Sequence, residues 1–185
     1  MQKLSPGIYA IIDGPKVSLD RLCEKILRLN PSAIQFRLKS LTADDRIRFI
    51  QKWLPQLKKF SIYINDTIEL AHKFQTGLHL GQEDATIEEA RNVLGQASIG
   101  ISTHTLDQAI DAQERGADYI GFGPLFETTG KKNPLSPRPT SDLVEVIKRV
   151  SIPIVGIGGI TQDKIPGLKK LGLDHFAMIS GLHAL

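Results

Sequence analysis

The stretch LHLGQED, residues 78–84, joins a short apolar run to a glycine and then to two carboxylates. Apolar residues followed by glycine are typical of a buried strand that ends at a turn. A buried strand that emerges beside Glu83 and Asp84 places acidic groups at one edge of its sheet. The meaning of that edge depends on what the other strands present there.

Similar apolar runs, rich in Ile, Val and Tyr, recur along the whole chain. Most are continuous rather than alternating, as expected for parallel strands that are covered on both faces. The predicted strands span 7–13, 33–38, 61–66, 77–81, 97–102, 118–124, 152–159 and 175–180. The segments between them have the apolar spacing of helices, at 18–29, 42–58, 67–74, 86–94, 105–115, 140–149 and 161–171.

Strands that alternate with helices at intervals of roughly 20 residues predict an α/β fold, a small (β/α)8 TIM barrel. We expect one domain over residues 1–185. A doubly wound open sheet is the alternative, but near-equal units without a dinucleotide fingerprint favour the closed barrel. Because five residues follow the eighth predicted strand, we expect the last helix to be truncated or absent. The face left uncovered makes a homodimer a further expectation.

The composition argues against several classes of protein. The net charge is only +3 and aromatic residues make up 6% of the chain, without a Lys/Arg-rich run, so we do not expect nucleic-acid binding. No apolar run reaches the ~20 residues of a membrane span, and no signal peptide is visible. The single cysteine, Cys23, lies in a helical apolar stripe, which favours a buried packing residue over a nucleophile. We therefore expect a cytoplasmic protein that acts on anionic small molecules.

Polar residues follow the predicted strands at the end where a barrel carries its active site. Strand three ends in Asn65 and Asp66, and strand four continues to Gln82 and Asp84. These carboxylate and amide oxygens suit Mg²⁺ rather than Zn²⁺. The alternative is that Asp84 only caps the helix predicted at 86–94.

Basic residues accompany the carboxylates. Gln35, Arg37 and Lys39 are alternate residues of strand two and are predicted to face one side together. Together with Lys131 and Lys132 after strand six, Arg37 and Lys39 would hold phosphate oxygens. The alternative is that the strand-two charges are balanced inside the barrel by acidic residues of strands three and four, without a ligand.

Other strand ends have two interpretations as well. Gly158-Gly159 and Ser180-Gly181 lie in the loops after strands seven and eight, which commonly present backbone N–H groups to a phosphate. The glycine pair is also compatible with a simple tight turn. His79, between two leucines, is expected to be a hydrogen-bonded core residue, and His104 a loop residue rather than a catalytic one.

Six segments resemble the thiamine-phosphate synthase family, and together they cover nearly the whole chain. They are QFRLK (35–39), INDTIELA (64–71), GLHLGQED (77–84), IGISTHT (99–105), ADYIGFGPLF (117–126) and PIVGIGGIT (153–161). The resemblance implies a transferase of thiamine biosynthesis with Mg²⁺ as its cofactor. Such an enzyme joins hydroxymethylpyrimidine diphosphate to thiazole phosphate, giving thiamine phosphate and pyrophosphate.

The resemblance also implies roles for individual residues. Arg37, Lys39 and Lys131 would be the catalytic cations at the departing diphosphate. The implied ligands are Gln35, Arg37, Lys39, Asn65, Ser102 and Lys131 for the diphosphate substrate, Thr128, Gly159, Ile179 and Ser180 for the thiazole phosphate, and Asp66 and Asp84 for Mg²⁺.

The thiazole tautomerases are a sister family with the same fold, and the segment FETTGKK resembles their loop. Against them, Pro124 stands where that family places its catalytic histidine, and Gln35, Asp66 and Asp84 are retained. Gly130 departs from the Thr-x-Thr-Lys pattern of the synthase loop. A non-catalytic relative that binds thiamine precursors is the third hypothesis.

Overall fold

Eight parallel strands close into a barrel in the part of the chain, residues 4–128 and 135–183, that the computed structural model describes. The strands are β1 (Gly7–Ile12), β2 (Ala33–Phe36), β3 (Ser61–Asn65), β4 (Gly77–Leu80), β5 (Ile99–Thr103), β6 (Tyr119–Phe122), β7 (Ile154–Gly156) and β8 (His175–Met178). Each strand pairs with the next in the sequence, and β1 pairs with both β2 and β8. The predicted TIM barrel is confirmed, and the open-sheet alternative is wrong.

Helices follow the strands as the apolar spacing predicts. They are α1 (Lys16–Leu29), α2 (Ala43–Leu57), α3 (Ile68–Phe74), α4 (Ile87–Leu94), α5 (Leu106–Glu114), α6 (Thr140–Arg149), α7 (Ile165–Lys170) and α8 (Ser180–His183), with a 3-10 turn at Gln162–Lys164 before α7. The helix after β8 is short, as expected. None of the described helices is long and apolar enough to cross a membrane.

The pleat of the strands sorts their side chains into an outer and an inner core. On β1, Ala10 and Ile12 pack outward beneath the helices, whereas Tyr9 and Ile11 belong to the cluster inside the barrel. The outer core receives the apolar stripe of α1, including Cys23, which is fully buried. Burial raises the pKa of its thiol, so the prediction of a packing residue is confirmed.

Three tyrosines fill the barrel interior. Tyr9, Tyr63 and Tyr119 are all buried, and their ring centroids lie 5.1 to 5.9 Å apart. Two glycines on neighbouring strands make this possible. A Cβ on Gly100 would lie 2.0 Å from Cζ of Tyr119, and one on Gly77 would lie 2.6 Å from the ring of Tyr63. The packing of the tyrosine rings therefore requires glycine at positions 77 and 100.

His79 of β4 packs beside Tyr119 in the same interior. Its Nδ1 lies 2.9 Å from the Tyr119 hydroxyl, and its Nε2 lies 2.9 Å from Ser102 Oγ. Burial lowers the pKa of His79 to about 4. The prediction of a hydrogen-bonded core histidine is confirmed, and the ring is uncharged near neutral pH.

We predict that Gly100→Ala destabilises the fold by about 3 kcal/mol, because the new Cβ collides with a tyrosine ring enclosed by the barrel. Gly167→Ala, in α7, is the matched control. A Cβ at this position would meet no described atom within 4 Å beyond its chain neighbours and its own helix backbone, so the change should stay within about 1 kcal/mol. Urea unfolding followed by circular dichroism measures both, and an unchanged midpoint for Gly100→Ala would contradict this account of the interior.

We predict that His79 makes stability depend on pH. Its pKa of about 4 in the folded chain lies below the ordinary 6.5, so its contribution is fully present above about pH 6.5 and is lost as the pH falls toward 4. Between about pH 7 and about pH 4, wild type should lose up to ~3 kcal/mol more unfolding free energy than His79→Gln, which cannot titrate. Parallel profiles for wild type and His79→Gln would refute the prediction.

Candidate active site

Two carboxylates meet at the C-terminal rim of the barrel. Asp66 is the first residue after β3, and its φ of 64° places it in the left-handed region, where aspartate is among the better tolerated residues. Its backbone N–H donates to the carbonyl of His79 at 2.9 Å, which ties this turn to β4. Burial raises the pKa of Asp66, the hydrogen bond with the Asp84 carboxyl raises it further, and Lys39 opposes both. The two acidic groups therefore lie close enough to influence each other.

Asp84 belongs to the turn after β4 and not to the following helix. Its Oδ2 accepts the backbone N–H of Gly81 at 2.6 Å. The N-cap of α4 is Thr86, which accepts from the N–H of Glu89 at 3.1 Å while the Glu89 carboxylate accepts from Thr86 at 2.7 Å. Since this capping box occupies the helix terminus, the alternative of Asp84 as a helix cap is wrong.

The pair fits a divalent cation. Mg²⁺ is commonly bound by one or two carboxylates plus substrate phosphates, and it would relieve the repulsion between Asp66 and Asp84. Within 4–128 and 135–183, no cluster of three or more His, Cys, Asp and Glu side chains could hold a metal ion. Any remaining ligands would thus come from Asn65, at the end of β3, from substrate or from water.

Lys39 supplies a cation next to the pair. Its Nζ lies 3.1 Å from Asp66 Oδ2, and its side chain is 53% exposed. The lysine is therefore balanced by a carboxylate and still accessible to a ligand. The alternative in which acidic residues balance the strand-two charges without a ligand predicts an ion pair of this kind.

Of the three polar residues that the sequence placed on strand two, only Gln35 lies within β2, and Arg37 and Lys39 follow the strand. β2 ends at Phe36, and Leu38, with a φ of 21°, turns the chain away from the extended path. Gln35 is buried inside the barrel and donates to the Tyr9 hydroxyl at 3.2 Å. Arg37 lies beyond the strand and forms an ion pair with Asp13, the residue after β1. The basic groups therefore spread along the rim from β1 to β3.

Ser102 and its neighbours complete this half of the rim. The Oγ of Ser102 is bonded to His79, and its carbonyl accepts from Gln82 Nε2 at 2.6 Å, which links the β4 turn to β5. His104 Nδ1 donates to the carbonyl of Gly123 at 2.6 Å, and its backbone N–H donates to Gln108. His104 is thus held as a loop residue, as predicted.

The loops after β6, β7 and β8 are pressed together through glycines. A Cβ on Gly158 would lie 2.5 Å from Cα of Pro124, and one on Gly159 would lie 2.3 Å from the carbonyl oxygen of Glu127. Both glycines have positive φ, 97° and 61°, so they serve the turn and the close approach together. A Cβ on Gly181 would likewise lie 2.5 Å from the carbonyl oxygen of Ile160.

The residues implied for the thiazole phosphate lie around these contacts. Gly159 is in the β7 loop, Ile179 packs against the interior cluster, and Ser180 begins α8 and is exposed. Thr128, partly exposed, is the last described residue of the loop after β6. Lys131 and Lys132 lie outside the described residues.

Lys164 is a basic residue at this end that the motifs did not single out. Its Nζ donates to the carbonyl of Gly159 at 2.6 Å and lies 4.3 Å from the centroid of the Phe126 ring. The lysine thereby joins the β7 glycine turn to the loop after β6. The sequence does show a basic residue five positions after the Gly158-Gly159 pair. It does not show the 3-10 turn that places Lys164 next to the carbonyl of Gly159.

A cavity of about 380 Å³ lies at the opposite face, near the starts of β3, β4 and β5. Lys58 is the one charged residue in its lining. Opposite charges converge instead at the C-terminal rim, where barrels carry their active sites, so we assign the candidate site to the rim.

Comparison with known proteins supports both the barrel fold and the family resemblance of the motifs. Residues 8–182 match the family model described as thiamine monophosphate synthase. The thiamine-phosphate synthase of Bacillus velezensis is 35% identical over 192 aligned residues, covering 98% of this chain and 85% of that protein. The Bacillus cereus enzyme of the same name is 38% identical over 184 residues, covering 95% of this chain and 84% of its own length.

A solved structure gives the same result. Thiamine phosphate pyrophosphorylase from Pyrococcus furiosus superposes with a TM-score of 0.81 at 31% identity, covering 94% of this chain and 85% of that chain. The resemblance found in the sequence is thus confirmed by a match that extends over nearly every strand and helix. This chain belongs to the thiamine monophosphate synthase family.

Proposed function

We propose that this protein is a transferase that joins hydroxymethylpyrimidine diphosphate to thiazole phosphate, giving thiamine phosphate and pyrophosphate. Its family membership and the 35 to 38% identity with proteins named thiamine-phosphate synthase support this activity. Dependence on Mg²⁺ is part of the same proposal. The assignments of individual residues are proposals as well.

The observation that carries the proposal is the interaction between Asp66 and Asp84 beside Lys39. Burial and the neighbouring carboxyl raise the pKa of Asp66, so the site favours the arrival of positive charge. A diphosphate needs such a combination, because its own negative charge requires both a divalent cation and fixed basic groups. A thiazole isomerisation would give the carboxylate pair no purpose.

In the proposed reaction the bond between the pyrimidine methylene carbon and the diphosphate oxygen breaks first, and its electron pair leaves with pyrophosphate. The thiazole nitrogen then gives its lone pair to the pyrimidine-methyl cation and forms the new C–N bond. Mg²⁺ bound by Asp66 and Asp84 would neutralise charge on the departing group. The site residues supply no nucleophile of their own, so their task is to position the substrates and to stabilise charge.

The rim residues divide this task between the two substrates. Lys39 lies beside the carboxylate pair and Arg37 beside Asp13, and both would hold the diphosphate oxygens together with Asn65 and Ser102. Arg37 is oriented by Asp13, and both side chains are only 20% and 16% exposed. On the other side, the glycine turn at Gly159 and the start of α8 would hold the thiazole phosphate by backbone N–H groups.

A cytoplasmic location belongs to the proposal too. The one cysteine of the chain, Cys23, is buried and unpaired, which suits a reducing compartment. The partners would be the two phosphorylated small molecules.

We predict that wild type releases pyrophosphate from the two substrates only when Mg²⁺ is present, and that Asp84→Asn lowers this rate by about 100-fold or more. Asparagine keeps an oxygen that can accept the Gly81 N–H, so the turn is preserved while the negative charge is lost. Glu83→Gln removes a charge from the exposed neighbouring residue and should stay within about twofold of wild type.

The outcomes separate the three hypotheses. Equal losses in Asp84→Asn and Glu83→Gln would contradict a metal ligand at Asp84. A folded wild type that isomerises a thiazole without releasing pyrophosphate would be a tautomerase. Binding of thiazole phosphate, measured by calorimetry, without turnover of either kind would identify a non-catalytic relative.

A further inference from the structure

A continuous series of hydrogen bonds crosses the barrel interior. It begins where Gln35 Nε2 donates to the Tyr9 hydroxyl at 3.2 Å, and the Tyr9 and Tyr119 hydroxyls lie 2.8 Å apart. It continues over the 2.9 Å contact of Tyr119 with His79 Nδ1 and ends with the 2.9 Å contact of His79 Nε2 with Ser102 Oγ. The series therefore connects two residues of the candidate site, one on β2 and one on β5.

The amide at one end gives the series a direction. Because Gln35 donates through its NH₂ group, the Tyr9 oxygen is an acceptor there, and the single hydroxyl hydrogen of Tyr9 is left for Tyr119. Burial raises the pKa of both phenols, so both keep their hydrogens. The hydrogen of Tyr119 then goes to His79 Nδ1, which can accept it only if the imidazole proton is on Nε2.

The consequence falls on Ser102. With the proton on Nε2, His79 donates to Ser102 Oγ, and the serine is the acceptor of that bond. Among residues 4–128 and 135–183, His79 is the one side chain bonded to this oxygen, so the serine's own hydrogen points to another acceptor. A diphosphate near neutral pH presents acceptor oxygens almost exclusively. A serine fixed as a donor suits it, whereas a serine that turned its hydrogen to histidine would repel it.

We propose that this directed hydrogen-bond series fixes Ser102 as a donor to the diphosphate group, and that Tyr119 and His79 are positioning residues acting through it. The inference rests on the proposed function, because the diphosphate is its substrate. It gives Tyr119 and His79, which lie in the barrel interior beneath the rim, a role in the reaction. From the sequence motifs alone, both would be taken for core residues.

The test is a cycle of Tyr119→Phe, Ser102→Ala and the double variant, with pyrophosphate release as the readout. Tyr119→Phe keeps the ring and removes the hydroxyl, and we expect kcat to fall about tenfold with little change in KM, because the bond matters most as charge develops on the departing group. In the Ser102→Ala background the same change should cost less than about twofold. A merely structural role would give equal losses in both backgrounds.

Tyr63→Phe is the matched control. Tyr63 packs against Tyr119 in the same interior, with centroids 5.1 Å apart, but its hydroxyl is bonded to Ser98, outside the series. This variant also removes a buried hydroxyl, and it should stay within about twofold of wild-type kcat. A tenfold loss here as well would mean that interior packing, and not the direction of the series, limits the rate.

The His79 tautomer gives a readout that does not need turnover. Nitrogen NMR of the labelled imidazole should show the proton on Nε2 in wild type. In an active wild type, a proton on Nδ1 or an additive cycle overturns this inference alone. A folded wild type that shows the Nε2 proton but releases no pyrophosphate overturns the proposed function instead.

Discussion

Each hydroxyl group that the barrel encloses must find a hydrogen-bond partner, because a buried polar group without one costs about 1–3 kcal/mol. Tyr9 and Tyr119 satisfy this requirement with each other and with His79. Gly100 allows it, since any side chain there would displace the Tyr119 ring. The polar groups of the interior are therefore joined by hydrogen bonds and surrounded by apolar side chains. The series of bonds ends at Gln35 on one side and at Ser102 on the other. The geometry of the rim depends on how this interior is filled.

Charged groups at the rim also need partners, and this need explains how they are arranged. Arg37 is balanced by Asp13, but Lys39 faces Asp66, a carboxylate that also interacts with Asp84. One lysine against two acidic groups leaves negative potential at this point. The raised pKa of Asp66 and the proposed affinity for Mg²⁺ express the same fact, since both describe how readily the pair takes up positive charge.

The barrel could be predicted from the sequence because its strands are buried on both faces and stand out as continuous apolar runs. His79 between two leucines was predictable for the same reason. The end of β2 was not, because Leu38 adopts a positive φ that no residue preference indicates. The ion pair of Arg37 with Asp13 depends on the pairing of β1 with β2, and the bond between Tyr9 and Tyr119 joins two strands that only the closed barrel brings together. Candidate residues at the strand ends could therefore be named from the sequence, whereas their hydrogen-bond and ion-pair partners could not.

The two halves of the rim differ in the groups that they would offer to the anions of the proposed reaction. From β1 to β5 the rim presents ionic side chains, which suit a group whose negative charge grows as its bond to carbon breaks. From β6 to β8 the contacts of Gly158, Gly159 and Gly181 bring backbone close to backbone and leave little space for side chains. Backbone N–H groups would suit a phosphate whose charge stays constant during the reaction. A site that must release one phosphorylated group while it retains another benefits from this asymmetry.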